Sequence, residues 1–154
     1  MTPKSLYRLF AVGEAITWLL LLSALAVRAF SEELSIGVTI AGTIHGAMFL
    51  SYCTTAVLVG INQRWKFGKI AAAVSLAIVP FATVPFDRSL LKQGQLEGSW
   101  RTQASDHPAD KGFIDKLFRW FIARPIVLIL VLVLAVTALF SFLLFLGPPT
   151  EWFD

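Results

Sequence analysis

Two long stretches of this chain carry almost no charge, and they restrict its folds more than any other feature. Phe10 to Phe86 is interrupted by only a few charged residues, and Pro125 to Leu146 by none. A helix rises ~1.5 Å per residue and a bilayer core is ~30 Å thick, so roughly 20 apolar residues make a span. Composition points the same way. The chain is 56% hydrophobic and 15% charged, where soluble domains run at ~45–50% and ~25%. The medium this sequence expects is lipid.

Four candidate spans follow: about residues 9–30, 35–61, 70–86 and 125–146. Backbone groups in hydrocarbon must pair within their own segment, and the alternation of barrel strands is missing, so all four are expected to be helices. The expected fold is an all-α membrane protein, a three-helix transmembrane bundle plus a fourth transmembrane helix. The third span is short and carries Pro80 and Pro85. Pro80 should kink it or end it early, with Val84–Pro85 as an extended exit. Ser31–Glu32–Glu33–Leu34 and Asn62 to Lys69 are short connections, which make the first three helices antiparallel neighbours. Residues 93–112 are polar and glycine-containing and read as a mobile linker. Phe113, Ile114, Leu117, Phe118 and Phe121 share one helical face, opposite Asp115, Lys116 and Arg119, so residues 113–124 read as an interfacial amphipathic helix. Lys4 and Arg8 before the first apolar segment raise the question of a signal peptide. Glu14 and the following Arg28 favour a retained span.

Orientation brings a conflict. Lys4, Arg8, Arg64, Lys66 and Lys69 ask for a cytoplasmic N-terminus. Four full crossings would then put Arg28 and all seven Lys/Arg between Arg88 and Arg124 outside. Either the N-terminus is outside, or the third segment does not fully cross, or a partner overrides the bias. The expectation taken is N-inside.

Few residues offer chemistry. Glu14 lies about five residues into the first span and His45 near the middle of the second. An ionisable group inside a span is costly and marks a candidate site. Their depths differ, ~8 Å against ~15 Å, and side chains lean toward their own helix N-termini, so direct pairing is disfavoured. Tyr52 and Thr55 are closer in level, and a Glu14–Tyr52 or Glu14–Thr55 hydrogen bond is expected instead. The candidate polar site is therefore Glu14, His45, Tyr52 and Thr55. Its functional reading is a proton or ion relay, or a bound polar headgroup. Its structural reading, which is preferred, is helix packing through polar side chains. Gly42 and Gly46 form a Gly-xxx-Gly pair suited to close helix approach, either to the first or third span of the same chain, which is preferred, or between subunits. Trp65, Trp100, Trp120 and Trp152 sit near span ends as interface anchors. Cys53 is a lone, apolar-flanked thiol, and His107 is a loop histidine. No catalytic set, phosphate loop or metal-ligand spacing is present, so no enzyme activity, cofactor or metal is expected. The Lys/Arg residues flank apolar segments, which suits membrane lipids and not nucleic acid.

Some elements resemble a known family. Phe10-Ala-Val-Gly-Glu14-Ala15 opens the first span, and Ala41-Gly-Thr-Ile-His45-Gly46-Ala-Met-Phe49-Leu-Ser-Tyr52 lies in the second. Val84-Pro85-Phe86-Asp87-Arg88 leaves the third. Over residues 5–92 these resemble a family of small bacterial integral membrane proteins known only as a domain of unknown function. The chain departs from it at Ala15, where the family usually has Gly. The resemblance implies a plasma-membrane location and three packed helices, but no reaction. The expected role is an accessory or assembly subunit of a larger membrane complex, respiratory or cell-envelope, in the bacterial plasma membrane. Its expected partners are other integral membrane subunits or further copies of itself. The alternative is a small oligomeric carrier or proton/ion pathway built on Glu14 and His45.

Overall fold

The computed structural model describes residues 1–30 and 35–146. Six α-helices lie among them, with no strand: α1 (Pro3–Arg28), α2 (Ser35–Asn62), α3 (Phe67–Leu76), α4 (Thr83–Lys92), α5 (Phe113–Ile122) and α6 (Pro125–Leu146). The Ser31–Leu34 turn and Trp152 fall outside the described residues. Three helices, α1, α2 and α6, are long and apolar enough to cross a membrane. At 26, 28 and 22 residues they are roughly 39, 42 and 33 Å long, each enough for a core ~30 Å thick.

α1 starts cleanly. Thr2 caps it, accepting from the Ser5 amide at 3.1 Å while Ser5 Oγ returns a contact to the Thr2 amide, and Pro3 takes the first turn, where no amide donor is needed. α1 and α2 then pack along one another through small residues. Ala11, Ala15, Ala41 and Ala56 are all buried, and only such side chains let backbones approach closely in lipid. Ala15, where the family resemblance has Gly, still fits within this seam.

The third apolar segment does not form a span. α3 has 10 residues, about 15 Å, half of what a crossing needs. Pro80 is the cause. Its ring would clash with the carbonyl four residues back, which belongs to Leu76, the last residue of α3. The chain tightens into i→i−3 bonds at Ala77, Ile78 and Val79 and turns at Phe81, whose φ of 64° is left-handed. α4 then runs back. Pro85 sits in its first turn, where its missing N–H costs no hydrogen bond. Val84–Pro85 is thus helical, not an extended exit.

Side-chain contacts record the return. Trp18 Nε1 donates to the Ala77 carbonyl (3.1 Å) at the top of the hairpin. Thr83 reaches Ala11 and Glu14, Asp87 pairs with Arg8, and Glu97 pairs with Lys4. α3 and α4 form a helical hairpin that enters and leaves at the end of the molecule where α1 begins. The same end holds the α2 C-terminus, α5 and the start of α6. Every Lys and Arg except Arg28 lies there.

Residues 93–112 are anchored, contrary to the mobile linker expected. Leu96 is fully buried with Leu90, Tyr7 and Val59. Arg101 caps α2: its guanidinium donates to the carbonyls of Ile61 and Asn62, and its amide donates to Asn62 Oδ1 (2.8 Å). A cation on the last carbonyls of a helix satisfies orphan acceptors and opposes the negative end of the dipole. Asp110, 3% exposed, gathers Arg64 at 2.8 Å and Arg101 at 2.9 Å, with Arg119 at 3.7 Å. Asp110 Oδ2 also accepts from the Ser105 amide and hydroxyl, both at 2.7 Å. The Ser105 amide and the Arg64 guanidinium hold the Asp110 carboxyl well below the usual carboxylate range.

α5 is amphipathic as expected, but its apolar residues split. Phe118 is buried against Arg101 and Trp100, while Phe113, Ile114 and Leu117 stay exposed. α6 follows after the break at Pro125.

A buried polar chain as the candidate functional site

Glu14 is completely buried. Its Oε2 accepts from Thr83 Oγ1 (2.9 Å), and the same hydroxyl lies 3.0 Å from the Ala11 carbonyl. Oε1 has no hydrogen-bond partner among the described residues. The Trp18 indole stands beside this carboxyl. The partner of Glu14 is therefore Thr83, not Tyr52 or Thr55. Thr83 gets there because Pro80 folds the hairpin back, which places the first turn of α4 on α1.

His45 is 8% exposed. Its Nδ1 is 3.0 Å from Thr17 Oγ1, which is also 3.0 Å from the Glu14 carbonyl. One arrangement satisfies all three groups: Thr17 donates to the carbonyl, and His45 Nδ1–H donates to Thr17. The imidazole also packs on Trp18, with centroids 4.4 Å apart. Glu14 and His45 are thus joined through the backbone and hydroxyl of one α1 turn, not by a direct side-chain bond.

Tyr52 belongs to a second pair. Its hydroxyl donates to the Ala73 carbonyl (3.2 Å), so Tyr7 is the donor in the 2.8 Å Tyr7–Tyr52 contact. Both rings are fully buried. Thr55 is buried too, but it lines a groove facing α6. Below Glu14, Asp87 is 3% exposed. One oxygen faces Arg8 at 3.5 Å, and Oδ1 has no partner among the described residues. Arg8, Asp87, Thr83, Glu14, Thr17 and His45 therefore succeed one another from the basic end toward the middle of the bundle. Of the four expected site residues, Glu14 and His45 lie on this chain, Tyr52 lies beside it and Thr55 lies on another face. Thr83 and Asp87 were not expected at this site, whereas Thr17 shares the Glu14 face at i+3. A β-branched hydroxyl three residues after Glu14 was the one signal visible in the sequence.

The glycines also divide. Gly42 has only an ordinary contact, 3.9 Å from a built Cβ to Leu21, and Gly46 receives the Phe140 ring of α6 at 3.0 Å. Among the glycines described, the tightest approach is at Gly60, where a Cβ would stand 2.6 Å from Ile70. Trp65 and Trp100 are clamps, not lipid-facing anchors: their indoles donate to the Gln95 carbonyl (3.3 Å) and the Met1 carbonyl (2.9 Å).

Residues 4–92 match the family described as "Domain of unknown function (DUF3817)". The chain belongs to this family. α1 through α4 are its family unit, and α5 and α6 lie beyond it. A putative membrane protein of Streptomyces coelicolor is 38% identical over 87 residues, 56% of this chain but 10% of that protein. An uncharacterized membrane protein of Bacillus subtilis is 29% identical over 89 residues, 58% of this chain and 93% of that protein. The chain thus matches a tenth of the first relative's length. No solved structure matches. Family, relatives and apolar helices agree on a membrane protein with transmembrane helices.

Proposed function

We propose that this protein is a non-enzymatic accessory or assembly subunit of a larger complex in the bacterial plasma membrane. In this reading α1, α2 and α6 cross the bilayer, the α3–α4 hairpin is re-entrant, and the basic end faces the cytoplasm. The re-entrant hairpin removes the conflict in the charge distribution: with three crossings, all Lys and Arg except Arg28 fall on one side, as the positive-inside bias asks.

The observation that supports the subunit role is the pair of settings in which relatives hold the family unit. It makes up nearly all of one small membrane protein and a tenth of another. A unit fused into a long chain in one case and separate in another suits a docking module. The outward face of α6, with Ile126, Leu130 and Leu134 exposed, offers it a surface in the bilayer. The alternative is a proton pathway. It is favoured by the run from Arg8 to His45, in which two carboxylate oxygens have no hydrogen-bond partner among the described residues.

Purification of the full chain in mild detergent separates the two. A stoichiometric integral membrane partner, lost when Leu130 and Leu134 become Ala, is the expected result. A lone homo-oligomer that carries protons into liposomes and stops on Glu14→Gln would replace the first reading with the second. Single cysteines in a Cys53→Ala background test the topology. Lys69→Cys and Lys92→Cys should both resist an impermeant maleimide in intact cells. Labelling of one but not the other would end the re-entrant reading.

A further inference from the structure

A groove of about 740 Å³ runs between α6 and the α1–α2 pair. Its size falls within the ~300–1,000 Å³ typical of small-molecule sites. Ser51, Thr54 and Thr55 form part of one wall, and Leu128, Leu132 and Val136 form the other. The Ser51 and Thr54 hydroxyls give their protons to the carbonyls of Ala47 and Leu50, each at 2.8 Å. Those two side chains therefore offer methyl and methylene surface, and with Leu128, Leu132 and Val136 opposite they make most of the lining apolar, which suits hydrocarbon.

Length and ends narrow the occupant. Along α6 the groove extends from Pro125 to Thr137, a rise of ~18 Å. One leaflet contributes half of a ~30 Å core, ~15 Å. Beyond Thr137 the Phe140 ring closes on Gly46, so the groove stops near the middle of the bundle. Its mouth, at Met1, Trp100 and Thr102, opens at the basic end. Arg124 is exposed there, one residue before Pro125. Its guanidinium lies 4.6 Å over the Trp120 ring and, among the described residues, makes one long hydrogen bond, 3.4 Å to the Trp120 carbonyl, which leaves donors for a phosphate.

We infer that this groove holds one acyl chain of an anionic phospholipid, drawn from the leaflet at the basic end, with its phosphate beside Arg124. The tail fills the gap that keeps α6 apart from the family unit. This goes beyond the subunit role and does not depend on it: the occupied wall is the inner face of α6, while Ile126, Leu130 and Leu134 point outward.

Native mass spectrometry of the full chain in detergent tests the inference. Wild type should retain one phospholipid per chain. After delipidation it should rebind phosphatidylglycerol several-fold better than phosphatidylcholine of the same tails. Thr54→Phe, filling the groove from α2, should abolish retention. Leu132→Phe does the same from α6 and guards against misfolding of the first variant. Arg124→Gln should keep a lipid but lose the preference for phosphatidylglycerol. The inference is overturned if wild type retains no lipid, if both filled variants retain as much as wild type, or if a second copy crosslinks through Thr54→Cys across the groove.

Discussion

The α1–α4 unit and α6 solve the same problem in opposite ways. The unit is stitched by polar contacts and small residues: Tyr7 to Tyr52, Thr83 to Glu14, Thr17 to His45, with alanines filling the seams. α6 is longer than α3 and α4 together, yet none of its most apolar stretch is buried. It touches α2 through Phe140 at Gly46 and is carried by α5 and the Asp110 cluster. Lipid tails are as apolar as leucine, so an apolar face gives a helix no reason to leave lipid for protein. Hydrogen bonds and close backbone approach do. The contrast shows that hydropathy decides which segments enter a bilayer, and the polar and small residues decide which of them adhere.

The largest effect should come from the seam. Gly60→Leu forces a side chain into Ile70 and Trp65, and overpacking of this kind costs ~1–3 kcal/mol. Thermal unfolding in detergent should show a clear loss. An unchanged midpoint would mean that α2 and α3 are not held by close approach.

Asp110→Asn comes next and should act on the other region. With Arg64, Arg101 and Arg119 deprived of their shared carboxylate, α5 and α6 should become loosely tethered while α1–α4 stays folded. Limited proteolysis should then cut within residues 93–112 in the variant and spare that segment in wild type. Acid should imitate the variant. The folded-state pKa of Asp110 lies below its unfolded value, near ~3.9, so its contribution is complete above that value. It is lost as pH falls further, through the folded pKa. Trp100 fluorescence, sensitive to Phe118 docking, should hold from neutral pH to about 4 and change only beneath it. A change centred near neutrality would exclude Asp110 as the cause.

The smallest effects sharpen the comparison at single contacts. Thr83→Val removes a hydroxyl from Glu14 at nearly constant shape and should cost about 1 kcal/mol. Phe140→Leu, in the thin α6 contact, should stay within ~0.5 kcal/mol. If the order is reversed on thermal unfolding, α6 is bound more firmly than its contacts imply.

Much of this was readable in the residues. The length of an uncharged run is nearly sufficient to place α1, α2 and α6, because nothing else satisfies a backbone in lipid. The amphipathic face of α5 followed from spacing. The third segment was misjudged because hydropathy is blind to direction: Ile70 to Phe86 is apolar whether it continues or doubles back. Pro80 decides, and its effect depends on where the chain can go afterwards. The partner of Glu14 was lost for the same reason, since Thr83 is remote in sequence and becomes a neighbour only once the hairpin is closed. Residues 93–112 looked loose because glycines and polar residues mark loops. Nothing local tells that Arg101 will find the open carbonyls of α2.

The helical hairpin also bears on how such a chain is made. Because α3 and α4 leave from the end at which they enter, everything from Arg64 to Arg124 can remain on the side of synthesis. In the proposed topology, an insertion machinery has to translocate only the Arg28 end of α1 and whatever follows α6. The most heavily charged part of the polypeptide never has to be drawn through hydrocarbon.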